Sequence, residues 1–115
     1  MQHWIYLIPI LVIAYMFWSR RSASATDLQG LLVKGAQIVD VRTKAEFQSQ
    51  SHPRSINIPL DQLGDKLKSL DKTKPVLVCC ASGARSGVAV GILKKAGFSD
   101  VANIGAWTRI ASLVS

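Results

Sequence analysis

A chain of 115 residues has room for one compact domain and little else. Its net charge of +7 is scattered from Arg20-Arg21 through Lys66, Lys68, Lys72 and Lys74 to Lys94-Lys95. No basic run is interleaved with aromatics, which argues against nucleic acid as a partner and leaves a solvated surface suited to an anionic leaflet or a small anionic substrate. Two adjacent cysteines, with only His3 and His52 to accompany them, supply neither a disulfide framework nor a set of zinc ligands.

Residues 4–18, WIYLIPILVIAYMFW, carry no charge and are apolar apart from the tyrosine hydroxyls. With Gln2, His3 and Ser19 the stretch is 18 residues, about 27 Å of helix, enough for a thin bilayer with Trp4, Tyr6, Tyr15 and Trp18 at its interfaces. A cleaved secretory signal, with the small residues of SASA as its processing site, is the competing reading. Two features oppose it: no Lys or Arg precedes the apolar run, and Arg20-Arg21 follow it at once. The charge placement predicts a single-pass anchor over 1–21 in the inner membrane, with a domain over 22–115 on the cytoplasmic side.

The tether SRRSASA (19–25) leads to a brief first strand at its end. Thr26 with Gln29 forms a capping-box pattern, so DLQGLLVK reads as a short helix stopped at Gly35. QIVDV (37–41) is a buried strand by its β-branched run, and Thr43 with Glu46 caps a second helix that runs to about Gln50. SINIP (55–59) is a short strand ended by Pro59. Leu60, Leu63, Leu67 and Leu70 recur at helical spacing. VLVCC (76–80) is a central strand apolar on both faces, RSGVAVGILKKAG a helix closed by Gly97, and DVAN (100–103) the last strand. The remainder, GAWTRIASLVS, packs as a terminal helix or coil. Alternating strands and helices predict an α/β domain with a mainly parallel sheet covered on both faces.

Ligands of such sheets bind beyond the carboxyl ends of strands, and residues 80–86 stand at such a point. Ser82, Gly83 and Ala84 are small enough for consecutive backbone N–H groups to turn inward as an anion nest. The following helix start and Arg85 add positive potential. A thiol at Cys80 is therefore expected to have a lowered pKa with no histidine base. Cys79 reads instead as a small buried hydrophobe.

The segment VLVCCASGARS resembles the active-site loop of the rhodanese family, Cys-x-x-Gly-x-Arg-Ser, with Cys80, Gly83, Arg85 and Ser86 in register. IVDVRTKAEF (38–47), HPRSINIPL (52–60) and GILKKAGFSDVANIGAW (91–107) are similar to further segments of that family, in the same order. The resemblance spans about residues 24–110. It implies a sulfurtransferase that carries a sulfane sulfur as a persulfide on Cys80, taken from a small anionic donor such as thiosulfate. The acceptor is cyanide, a thiol, or a partner protein's cysteine. Residues 81–86 (Ala81, Ser82, Gly83, Ala84, Arg85, Ser86) would bind the persulfide. Asp40 and Arg42 would support the site, the acidic group fixing the loop or its arginine, and Asn57 would fix nearby backbone. No cofactor or metal is implied. Trp107 fits a pocket wall or a core position equally. Three departures bear on the donor. Ala81 stands where many active members carry arginine or lysine, Arg54-Ser55 replaces Gly-Ala, and Gly105-Ala106 replaces Gly-Gly; Arg54 is either a substitute cation or a surface residue.

Two rivals remain. A phosphatase or arsenate reductase needs a Cys-x5-Arg loop, which counting from Cys79 provides. Val78, however, stands where such a cysteine is usually preceded by histidine, and no general acid lies near the loop. The other rival is a membrane-tethered, non-catalytic binding or sulfur-relay module of the same fold.

Overall fold

The computed structural model describes residues 5, 7–19 and 23–115. Its elements in chain order are α1 (Leu7–Ser19), α2 (Ala25–Val33), β1 (Gln37–Asp40), α3 (Lys44–Ser49), β2 (Ser55–Asn57), β3 (Val76–Cys80), α4 (Ala84–Lys95), β4 (Val101–Ala106) and α5 (Ile110–Val114). The strands form one four-stranded sheet in the order β2-β1-β3-β4, parallel throughout. All carboxyl ends therefore lie along one edge. That is the α/β sheet expected from the alternation of elements.

β3 is buried at every position, and its two-residue period divides the core. Val76, Val78 and Cys80 face one side, with Val39, Val41, Ala89 and Leu93, beneath α4. Leu77 and Cys79 face the other, with Leu28 of α2, Ile104, and Ile110 and Leu113 of α5. The strand thus reads as a continuous apolar run because it is covered twice.

Several local expectations shift. Among the described residues no strand forms at the end of the tether. Ala23 N–H donates to the Asn103 carbonyl at 2.8 Å, and the chain turns straight into α2. The cap of α2 is Ser24, in extended backbone and accepting from Asp27 N–H at 3.2 Å, so the pair Thr26–Gln29 plays no capping part. With Asp27 in the first turn, the earlier cap also sets a carboxylate at the positive end of the helix. The Thr43–Glu46 capping box is present with both bonds.

The expected helix over 60–70 is two short 3-10 turns, Leu60–Asp65 and Leu67–Ser69. Gly64 lies within it, and Lys66 at φ −113° and ψ 18° breaks the run. The tighter turns still bring leucines three apart to one side, and Leu63 and Leu70 are buried. The final strand runs on past Asn103 to Ala106, through a register shift opposite Val78/Cys79. Gly105, at φ +91°, supplies the backbone that this bulge demands.

The amino-terminal apolar stretch is helical over Leu7–Ser19, and Leu7, Ile8, Ile10, Leu11, Val12 and Ile13 are exposed. Its 13 residues make about 20 Å of helix. Among the described residues no helix is long and apolar enough to cross a membrane. The rest of the expected span, residues 1–4, 6 and 20–22, lies outside the described residues.

Candidate active site

The buried thiol of Cys80 sits where β3 gives way to α4, on the carboxyl edge of the sheet. The turn depends on Gly83, the residue before α4, whose φ of +108° and ψ of −13° suit glycine alone. This conformation brings the Gly83 N–H to 2.9 Å from Cys80 Sγ, and Ser86 Oγ approaches to 3.4 Å. Burial by itself pushes the Cys80 thiol up. Hydrogen bonds from the Ser86 hydroxyl and N–H, and from the N–H groups of Gly83 and Ser82, outweigh burial and hold it below the ordinary thiol value. With the Gly83 N–H and the Ser86 hydroxyl both at the sulfur, the loop is a cradle for a sulfur anion.

Cys79 is different in each respect. Its side chain points to the opposite face, among Leu28, Ile38 and Ile104. Burial first, then the charge of Asp40, drive its thiol far above the ordinary range, only partly opposed by Arg42. A loop counted from Cys79 thus has no nucleophile facing it, and the Cys-x5-Arg reading loses its basis. The two thiols, on opposite faces, are both free.

Arg85 does not point at sulfur. Its guanidinium forks onto Glu46, at 2.6 Å to Oε1 and 3.0 Å to Oε2. The same Oε1 accepts the Thr43 N–H and hydroxyl, each at 3.1 Å, so one carboxylate caps α3 and holds the loop arginine. Arg85 foremost, then the Thr43 N–H, keep the Glu46 carboxyl down at about 2. The acidic partner of the loop arginine is therefore Glu46 rather than Asp40. Glu46 was legible only as a cap.

Asp40 instead binds Arg42. The Arg42 N–H reaches Oδ1 at 2.9 Å, Nε lies 3.0 Å from each oxygen, and Nη2 lies 2.7 Å from Oδ2. Nη2 also donates to the Gln50 carbonyl at 2.7 Å, and the guanidinium lies 4.7 Å from the centre of the Trp107 ring. This pair is buried and knits the end of β1 to α3 and to the segment after β4. Trp107 is thus a stacking platform, part-buried against the α2/α5 core. Asn57 does fix backbone, donating to the Asp40 and Arg42 carbonyls at 3.0 and 2.9 Å.

Ala81 and Ser82 are exposed, at the open side of the loop. Arg54 is also exposed, but it precedes β2 and so stands at the amino edge of the sheet, where it cannot stand in for a cation at position 81. A groove of about 490 Å³ adjoins α3, lined by Lys44, Phe47, Gln48, Asn57, Pro59, Gln62 and Lys66, and does not include the loop. Among the described residues no cluster of His, Cys, Asp and Glu is placed to hold a metal.

Asn103, absent from the sequence-based candidates, belongs to the site. It is buried on β4. Its Oδ1 accepts from Ser86 Oγ at 2.6 Å and from Gly105 N–H at 2.8 Å, and its Nδ2 donates to the Gly83 carbonyl at 3.0 Å. The available signal was a polar side chain within the otherwise apolar run VANIGA.

Comparison with known proteins places the chain in a family. The sequence profile of the Rhodanese-like domain matches residues 24–111. The chain is 37% identical over 76 residues to Thiosulfate sulfurtransferase GlpE of Pseudomonas savastanoi pv. phaseolicola, covering 66% of this chain and 72% of that protein. It is 35% identical over 75 residues to Thiosulfate sulfurtransferase PspE of Escherichia coli, covering 64% of this chain and 72% of the relative. Among solved structures, a rhodanese-related protein from Thermoplasma volcanium superposes with a TM-score of 0.64 at 33% identity, over 78% of this chain and 88% of that one.

Proposed function

The chain belongs to the rhodanese-like family and is a rhodanese-type sulfurtransferase, and we propose that it works through a persulfide on Cys80. The observation that carries this reading is the convergence of the Gly83 N–H and the Ser86 hydroxyl on Cys80 Sγ. The Cys80 thiolate attacks the outer sulfur of thiosulfate or a similar donor. A sulfur–sulfur bond forms to Cys80 as the donor's own sulfur–sulfur bond breaks, and sulfite leaves with the electron pair. The terminal sulfur of Cys80–S–S⁻ takes the place of the thiolate before the loop N–H groups, which now face the growing anion. A thiolate acceptor, small or on a partner protein, then attacks that terminal sulfur and restores the Cys80 thiolate; cyanide in the same role gives thiocyanate.

The test is to incubate the purified full chain with thiosulfate and read its intact mass, then add cyanide and measure thiocyanate. The wild type should gain one sulfur atom, Cys79→Ser should do the same, and Cys80→Ser should gain none. Sulfur loading by Cys80→Ser would sink the mechanism. A chain that loads but does not turn over would instead favour a sulfur relay that waits for its protein acceptor.

We also propose that the apolar amino-terminal helix lies in the inner membrane with the domain on the cytoplasmic side. The reading is supported by the exposed aliphatic side chains of α1 and by Arg20-Arg21 immediately after it. An alkaline phosphatase fusion at the carboxyl end should be inactive. Activity there would overturn the orientation, and release of the chain from membranes by carbonate would overturn the anchor.

A further inference from the structure

We propose that Asn103 is a positioning residue for Cys80: its amide, turned inward on β4, holds the Ser86 hydroxyl and the Gly83 carbonyl and thereby decides where the Ser86 hydrogen points. The inference rests on Cys80 being the reacting thiol of the proposed function. The placement follows from register. Asn103 pairs with Val78, and the bulge then pairs Gly105, rather than Ile104, with Cys79. Ile104 is left in the opposite core, while the Asn103 side chain reaches the loop.

Neighbours of single capacity fix the amide's orientation. Gly105 N–H can only donate and lies 2.8 Å from Oδ1, and the Gly83 carbonyl can only accept and lies 3.0 Å from Nδ2. Ser86 has one hydrogen and three neighbours to consider: Asn103 Oδ1 at 2.6 Å, the Gly83 carbonyl at 3.1 Å and Cys80 Sγ at 3.4 Å. While Cys80 is protonated, its S–H points to a Ser86 lone pair and the Ser86 hydrogen rests on Asn103. A thiolate or persulfide can only accept, so the hydrogen must then swing from Oδ1 to sulfur. Asn103 is thus a competing acceptor that is strong enough to hold the hydrogen at rest and, being neutral, weak enough to release it. Its Nδ2 meanwhile occupies the Gly83 carbonyl, the other oxygen within reach of the Ser86 hydrogen.

The charged groups around this centre are Arg85, which Cys80 influences electrostatically, its partner Glu46 on α3, and the Asp40–Arg42 pair at the end of β1. None of them is hydrogen bonded to Cys80 or Ser86 among the described residues, so the direct donors and Asn103 set the balance at sulfur.

The experiment is the pH dependence of Cys80 alkylation by iodoacetamide in the full chain, with the site assigned by tandem mass spectrometry and folding checked by thermal melting. Asn103→Asp keeps an acceptor for Ser86 but makes it anionic and loses the donor to Gly83. Its thiol should titrate about one unit higher or more, with alkylation near neutrality slowed about tenfold. Asn103→Ala removes the competing acceptor, and its thiol should titrate at or below the wild-type pH. A residue that only held the fold would shift both variants upward together. Such a parallel rise, or an Asn103→Asp protein that titrates like the wild type, overturns the proposal. Should Asn103→Asp fail to fold, Asn103→Ala decides alone: a rise overturns, no rise supports. Alkylation needs no sulfur donor, so a wild type that does not load sulfur from thiosulfate would fault the proposed function without obscuring this result.

Discussion

Replacing Gly83 by alanine tests whether the loop's strained turn and the acidity of its thiol are one property. Gly83 has φ +108° and ψ −13°, beyond the left-handed region that side-chain-bearing residues tolerate. Holding alanine there costs about 1–3 kcal/mol. For a domain of this size, 1 kcal/mol lowers the melting temperature by about 4–8 °C, so a loss of about 10 °C is expected. The chain can relieve part of the strain by rotating the peptide before residue 83, but this removes the N–H that lies 2.9 Å from Cys80 Sγ. A hydrogen bond to a charged group is worth about 1.5–3 kcal/mol, so its loss raises the thiol pKa by about one to two units. The sign with pH follows. A thiol acidified by folding stabilises the native state only as pH rises past its folded value, and that contribution is lost as pH falls through it. The deficit of Gly83→Ala should therefore widen between pH 6 and pH 9. Gly91→Ala is the matched control: it lies on the exposed face of α4 with nothing within 4 Å of an added Cβ. It should gain about 0.5–1 kcal/mol and leave the thiol unchanged. A Gly83→Ala protein that melts within about 2 °C of the wild type and is alkylated at the wild-type pH would refute the reasoning.

Glu46→Gln releases Arg85 while keeping the shape of the cap, and should lower kcat/KM for thiosulfate by about tenfold. Because the carboxyl is held at about 2, the pair stays intact until the pH falls well below the ordinary carboxylate range. The ratio of wild-type to variant rates should therefore be the same at pH 5 and pH 8, and a ratio that collapses at pH 5 would count against the clamp. Arg42→Met leaves a buried Asp40 carboxylate unpaired and should cost about 3–5 kcal/mol, read as a fall in the denaturant midpoint with unchanged slope. Ala81→Arg places a cation on the exposed lip of the loop. It should lower KM for thiosulfate several-fold with kcat nearly constant, and an unchanged KM would exclude charge at this position as the limit on donor binding.

How far the site could be read in advance depended on whether its parts are local. The cap at Thr43, the turn at Gly83 and the stop at Gly97 are short-range devices with fixed chemistry, and each is present where the residues indicate. The leucines at 60, 63, 67 and 70 kept their destination but not their helix type, because burial is set by spacing of three as well as by spacing of three and four. What escaped were long-range partners. Glu46 lies 39 residues from Arg85 and Asn103 lies 17 from Ser86, and no local pattern joins either pair. Asp40 was the more obvious carboxylate for the loop arginine. Yet Arg42, two residues on in sequence, binds it first. The bulge in β4 was hidden by Gly105, which in sequence looks like the end of a strand and in the fold is what lets the strand continue.

The adjacent cysteines show why this matters for chemistry. Neighbours on a strand face opposite ways, so Cys79 and Cys80 enter different cores although their backbones share one environment. On the Cys80 side the strand ends against a turn and a helix start, and N–H groups without strand partners are available to a sulfur anion. On the Cys79 side the strand is roofed by α2 and α5, whose apolar side chains offer an anion nothing. Sliding β3 by one residue would exchange the two thiols. The bulge opposite Val78/Cys79 works against such a slip, since Asn103 would lose Ser86 and Gly83 together and bury an amide without these partners. The contact that tunes Cys80 is thus also one that fixes which cysteine occupies the cradle.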